Sequence, residues 1–117
     1  MKKLDIKTTT LELRKLTGKV SDEGKMSDTC DLIEVTLDSI PQGGFTPKDI
    51  RDRNRIQVSV DKFREERSKA KDSDKTPKSV LTLEDADYEN LKTTVNSSRW
   101  ASREKPLQEF LDTFNKD

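Results

Sequence analysis

Histidine is missing from the chain altogether, and cysteine occurs once. The first absence removes the side chain most used for acid–base chemistry near neutral pH and for zinc binding. The second excludes an internal disulfide and suits a reducing compartment. Cys30 could act as a nucleophile only beside a base that activates it, and there is no histidine to serve, so Cys30 reads as a small core residue. No apolar run approaches the length that spans a bilayer, and Lys2 and Lys3 lead into Leu4 and Ile6, not into a signal-peptide stretch. The expectation is a soluble cytoplasmic protein with no membrane partner. Glycine-rich phosphate loops, metal-ligand spacings and catalytic triads are also lacking. The sequence therefore points to no catalytic residue, no cofactor, no metal and no enzymatic activity.

Large apolar residues are scarce as well. Leu, Ile, Val and Phe make up about a fifth of the 117 residues, near the level at which burial ceases to offset ordering entropy. One modest core fits a chain of this size. Charge of one sign is not in excess: 23 lysines and arginines face 23 acids. That balance argues against a general nucleic-acid or membrane-surface binder, which carries a basic excess.

What is present centres on Gly43 to Phe63, GGFTPKDIRDRNRIQVSVDKF. Gly43-Gly44 ends what precedes it, Thr46 suits an N-cap, Pro47 the first helical position, and Asp49 the acid of a capping box. The spacing predicts an amphipathic helix with Ile56, Val60 and Phe63 inward and a basic outer stripe of Arg51, Arg55 and Lys62. In the competing reading the helix stops near Arg53, and Ile56, Val58 and Val60 alternate along a short strand. The stripe can meet phosphates or an acidic protein partner, since guanidinium groups bind both in paired geometry. The reading the pattern favours is a solvated outer helix face, its field moderated by Asp49, Asp52 and Asp61.

Around this centre the chain divides into four parts. Residues 1–28 read as an extended arm or short strands, from the alternation of Leu4 and Ile6 and of Leu11 and Leu13 among β-branched threonines; SDEGKMSD at 21–28 reads as a loop. Residues 29–64 read as a helical pair, whose first helix is capped by Ser27 or Asp28, runs from Thr29 to about Ser39, and places Cys30, Ile33, Leu37 and Ile40 on one face. Residues 65–79, EERSKAKDSDKTPKS, have the composition of a flexible charged loop. Residues 80–117 read as a second helical pair: Val80, Leu81 and Leu83 lead into a start signal at Thr82 to Asp85, with Tyr88, Leu91 and Val95 on one face of the helix that follows. Pro106 then opens a last helix with Leu107, Phe110, Leu111 and Phe114 at i, i+3, i+4 and i+7. The fold class expected is mainly α, with α+β possible through a small N-terminal β element.

Trp100 and Phe114 are candidates for an anchor patch on another chain, because large aromatics dominate interface energetics; the alternative is that they complete the core. Glu84, Asp85 and Asp87 spread too widely around a helix to converge on one cation, and complement the helix dipole instead. An Asp-Xaa-Lys triplet at Asp5 to Lys7 matches one fragment of a nuclease site, with no second acid to complete it.

The order CDLIEVTLDSIPQGGFTPKDIRDRNRI, a charged gap, LTLEDADYENLKTTVNSSRW and a closing PLQEFLDTF is similar to small uncharacterised proteins encoded by tailed bacteriophages. The likeness covers about two thirds of the chain and carries over no functional residues. It implies a phage accessory, assembly or host-takeover factor in the host cytoplasm or associated with the virion. The expected function is binding of another protein, from phage or host, with a homo-oligomer also compatible. The alternative from another class is a DNA-binding transcriptional regulator using the helix at 46–63, with nucleic acid as its partner.

Overall fold

A computed structural model describes residues 1–18, 20, 24–72, 79–98, 100 and 103–115. In chain order the elements are β1 (Lys2–Asp5), β2 (Thr8–Glu12), α1 (Leu13–Thr17), β3 (Met26–Asp28), α2 (Thr29–Asp38), α3 (Pro47–Asp72), β4 (Val80–Leu83), α4 (Asp85–Ser97) and α5 (Lys105–Asn115). The fold is mainly α with two small antiparallel sheets, β1–β4 and β2–β3.

The N-terminal β element exists, and its pairing is long-range. Lys2 to Asp5 align with Leu83 to Val80, and the ladder is extended by the Ile6 N–H donating to the Ser79 carbonyl at 2.7 Å. Alternation turns Leu4, Ile6, Leu81 and Leu83 into the core. β2 pairs with β3 through a bulge, and the buried Ser27 hydroxyl bridges the irregular register, donating to the Leu11 carbonyl at 2.8 Å and pairing with the Thr9 hydroxyl at 2.7 Å. The segment at 26–28 is therefore strand where a loop was expected. Leu13 belongs to the one-turn helix α1, not to a continuing strand.

Both capping signals in the first half form. Asp28 and Asp31 make a reciprocal capping box at the start of α2, and Thr46 and Asp49 make one at the start of α3. Gly43 and Gly44 between them take φ of 85° and 89°, a region that side chains with a Cβ rarely occupy. Ile40 falls past the end of α2 and is exposed, so it is not part of the buried face.

Residues 54–63 are helix, not strand. α3 also runs on to Asp72, past the point where the charged loop was expected to begin. Glu, Arg, Lys and Ala propagate a helix once it is started, even where no face is apolar. The rest of that expected loop, 73–78, lies outside the described residues.

Val80 to Leu83 is a strand, not a helical lead-in. Glu84 rather than Thr82 is the N-cap of α4, without a side-chain cap bond.

α2 packs against α3 and α4, and α4 packs against α3 and α5. The core is one cluster drawn from every element except α1 and β3. Its aromatic end joins Phe110 to Phe114 edge-on at 5.2 Å between ring centroids and Phe110 to Trp100 at 6.2 Å. Phe110→Ala removes the ring between these two neighbours and should cost about 3 kcal/mol or more. Urea unfolding followed by tryptophan fluorescence measures this; unchanged stability would remove Phe110 from the core.

Candidate functional site

α3 carries its core face on Ile56, Val60 and Phe63, all buried. At about 100° per residue, Arg51, Arg55, Val58 and Lys62 fall within about 60° of one another on another side of the helix. All four are exposed, Val58 by 65%. The expected basic stripe is thus present with an apolar residue in its middle. Val58, which the alternating pattern assigned to a strand, is the member that sequence reasoning missed.

The charges of this stripe are not equivalent. Arg55 reaches across to the start of α4, where its guanidinium lies 3.5 Å from both Glu84 and Asp87. Arg51 and Lys62 meet no acid among the described residues. Two further arginines of α3 tie it inward. Arg53 donates to the Leu37 carbonyl at 2.9 Å and to the Ser39 carbonyl, satisfying the end of α2, and its guanidinium lies 4.8 Å from the centre of the Phe45 ring. Arg64 pairs with Asp31 at 3.0 Å and with Glu34. Nothing local in the sequence separates these arginines from Arg51, because their partners come from α2 and from the start of α4.

Beside the stripe, α3 and β4 wall a groove of about 520 Å³, lined in part by Arg55, Val58, Lys62, Val80, Thr82 and Asp87. Asp87 is 5% exposed, and its Oδ1 has no hydrogen-bond donor among the described residues although it faces Arg55. Among the described residues β4 pairs only with β1. Since Ile6 and Ser79 form a hydrogen-bonded pair, antiparallel alternation makes Leu4–Leu81 and Lys2–Leu83 the next such pairs. The N–H and C=O of Val80 and Thr82 then point away from β1, on the open side of the strand.

The other two candidates lie elsewhere. Phe114 is 1% exposed, with Tyr88 at 5.6 Å and Phe110 beside it, and so belongs to the core, not to an open anchor patch. Trp100 is half-buried against Phe110, and its indole N–H has no acceptor among the described residues. Neither Trp100 nor Phe114 is among the described residues that line the groove beside α3, so the two aromatics do not join Arg55 and Lys62 there.

The remaining titratable groups follow their surroundings. Burial pushes the Cys30 thiol up to about 11, with the nearby Asp28 and Asp31 carboxylates adding and Arg64 opposing. Burial also raises Asp31, whereas hydrogen bonds from Thr46 hold the exposed Asp49 carboxyl below its usual value. Among the described residues no group of three or more His, Cys, Asp or Glu is placed to hold a metal ion, and no helix is long and apolar enough to cross a membrane.

The chain matches no family model, no curated protein and no solved structure.

The raised Cys30 value has a direct consequence. The unfolded thiol loses its proton near pH 8.5 and the folded one near 11, so the native state holds the proton more tightly. The stability that this contributes is full below the unfolded value and is lost as pH rises through the folded one. Alkylation of Cys30 by iodoacetamide at pH 8 should be far slower in the native protein than in urea. Equal rates would place the thiol at the surface.

Proposed function

We propose that this chain is a small non-enzymatic protein that binds another protein through the outer stripe of α3 and the groove beside it. The observation that carries this reading is Val58, a branched apolar side chain exposed by 65% between Arg51 and Lys62, two cations that meet no acid among the described residues. Set between two cations on one helix face, Val58 gives that face the combination of apolar contact and charged rim found in protein interfaces. The similarity to tailed-phage proteins supports an accessory, assembly or host-takeover role in the host cytoplasm or on the virion.

The rival reading, a DNA-binding regulator on the same helix, draws less support. Of the arginines on α3, Arg53, Arg55 and Arg64 are engaged with acceptors inside the protein, leaving fewer cations for a phosphate backbone. Interleaved aromatics for stacking on single strands are also lacking from the stripe.

Retention of host or phage proteins on the immobilised chain separates the two. Val58→Lys, and Arg51→Glu with Lys62→Glu, should leave folding within about 0.5 kcal/mol of the parent, since the sites are exposed. Both should abolish capture of a defined protein that the parent retains in moderate salt. Capture that persists in both variants would sink the reading. Retention of nucleic acid only, falling steeply as salt rises, would transfer the stripe to the regulator.

A further inference from the structure

Arg55 belongs to the exposed stripe of α3, but its charge is committed to the inside of the protein. The guanidinium lies 3.5 Å from both Glu84 and Asp87 Oδ1 at the start of α4. The two acids differ in setting. Glu84 is exposed, whereas Asp87 is 5% exposed and its Oδ1 has no hydrogen bond among the described residues. A carboxylate so placed has lost most of its hydration, and Arg55 is the cation that offsets the loss.

The other charges that line the groove beside α3 do not relieve Asp87. The Met1 α-amino group lies 3.3 Å from Asp85, Lys62 meets no acid among the described residues, and Glu66 is itself an acid. Removing one member of a buried pair costs far more than the whole pair contributes, because the remaining charge is stranded. An outside anion can therefore draw Arg55 away only by stranding Asp87. Arg51 and Lys62 carry no such obligation. The contact also fastens a helix end that lacks the usual device, since the N-cap of α4, Glu84, makes no side-chain cap bond.

We propose that Arg55 is a positioning residue, latching α3 to the start of α4 by neutralising the buried Asp87. Asp87 thereby withholds Arg55 from the partner and leaves Arg51 and Lys62 as the recognising charges. This rests on the protein-binding reading above and says which part of the stripe the partner meets.

Urea unfolding of the full chain tests the latch, with the parent compared with Arg55→Met, Asp87→Asn and the double variant. Methionine keeps an unbranched stem and good helix propensity while removing the charge. Arg55→Met should lower the ratio of folded to unfolded protein by about tenfold or more. Adding Asp87→Asn should restore most of that loss, because the stranded charge has gone. Lost packing would not be repaired in this way. An Arg55→Met protein that fails to fold, yet folds once Asp87→Asn is added, supports the latch equally. A double variant no more stable than Arg55→Met, or an Arg55→Met protein as stable as the parent, overturns it.

The folded double variant is then immobilised and challenged with the defined protein that the parent retains from lysate. Capture as strong as the parent's is expected, while Arg51→Glu with Lys62→Glu abolishes it. Capture lost from the folded double variant makes Arg55 a contact residue and overturns its withholding, with the protein-binding reading left standing. If the parent retains nothing, or capture is indifferent to Val58→Lys, that reading fails instead, and the urea series alone decides the latch.

Discussion

The pairing of the first twelve residues with both halves of the chain is the constraint on which the rest of the fold depends. β1 joins the second half through β4, and β2 joins the first half through β3. A two-stranded sheet has little stability of its own in water and needs a hydrophobic face covered by something else. Here the covers are the helices, and the strands return the favour by sending Leu4, Ile6, Leu11, Leu81 and Leu83 into the same cluster that buries Ile33, Val60 and Leu91. Helices and strands thus share one core, and neither sheet is an appendage. Thr29 reinforces the seam at the start of α2, where its hydroxyl accepts from the Lys7 N–H at 3.1 Å.

α3 lies against this core along only part of its length. Its 26 residues span about 39 Å at about 1.5 Å each, while its last buried apolar residue is Phe63. Polar contacts replace apolar ones along its flanks. Arg53 and Arg64 fix it to α2, and Arg55 fixes it to the start of α4. These pairs are partly exposed, so their contribution is to direction more than to stability. Arg51, Val58 and Lys62 point outward and take no part in these ties.

What could be read from the sequence was what is settled locally. The capping boxes at Asp28 and Thr46 involve residues three apart, and the face of Leu107, Phe110 and Phe114 repeats every turn, so each is written in a short window. β4 was not legible, because Val80-Leu81-Thr82-Leu83 before an acidic first turn looks like the lead-in to a helix. Its strand character comes from β1, at the far end of the chain. The extension of α3 beyond residue 64 was hidden for the opposite reason: the composition of a solvated linker is also that of a helix polar on all sides. Of the candidate site, the spacing of Arg51, Arg55 and Lys62 was visible. The acids that engage Arg55, the exposure of Val58 and the burial of Phe114 were not, since each is decided by which element packs nearby.

The register of β1 on β4 also sets an order of events during synthesis. Asp5 aligns with Val80 and Lys2 with Leu83, partners roughly eighty residues apart. A ribosome adding about 5–20 residues per second takes on the order of 4–16 seconds to travel that distance. Throughout that interval Leu4 and Ile6 are made but have no strand to lie against, and closing so long a loop is a slow step in its own right. Leu4 and Ile6 are then made long before they can find their place, and until β4 emerges the nascent chain offers chaperones a short unpaired apolar strand.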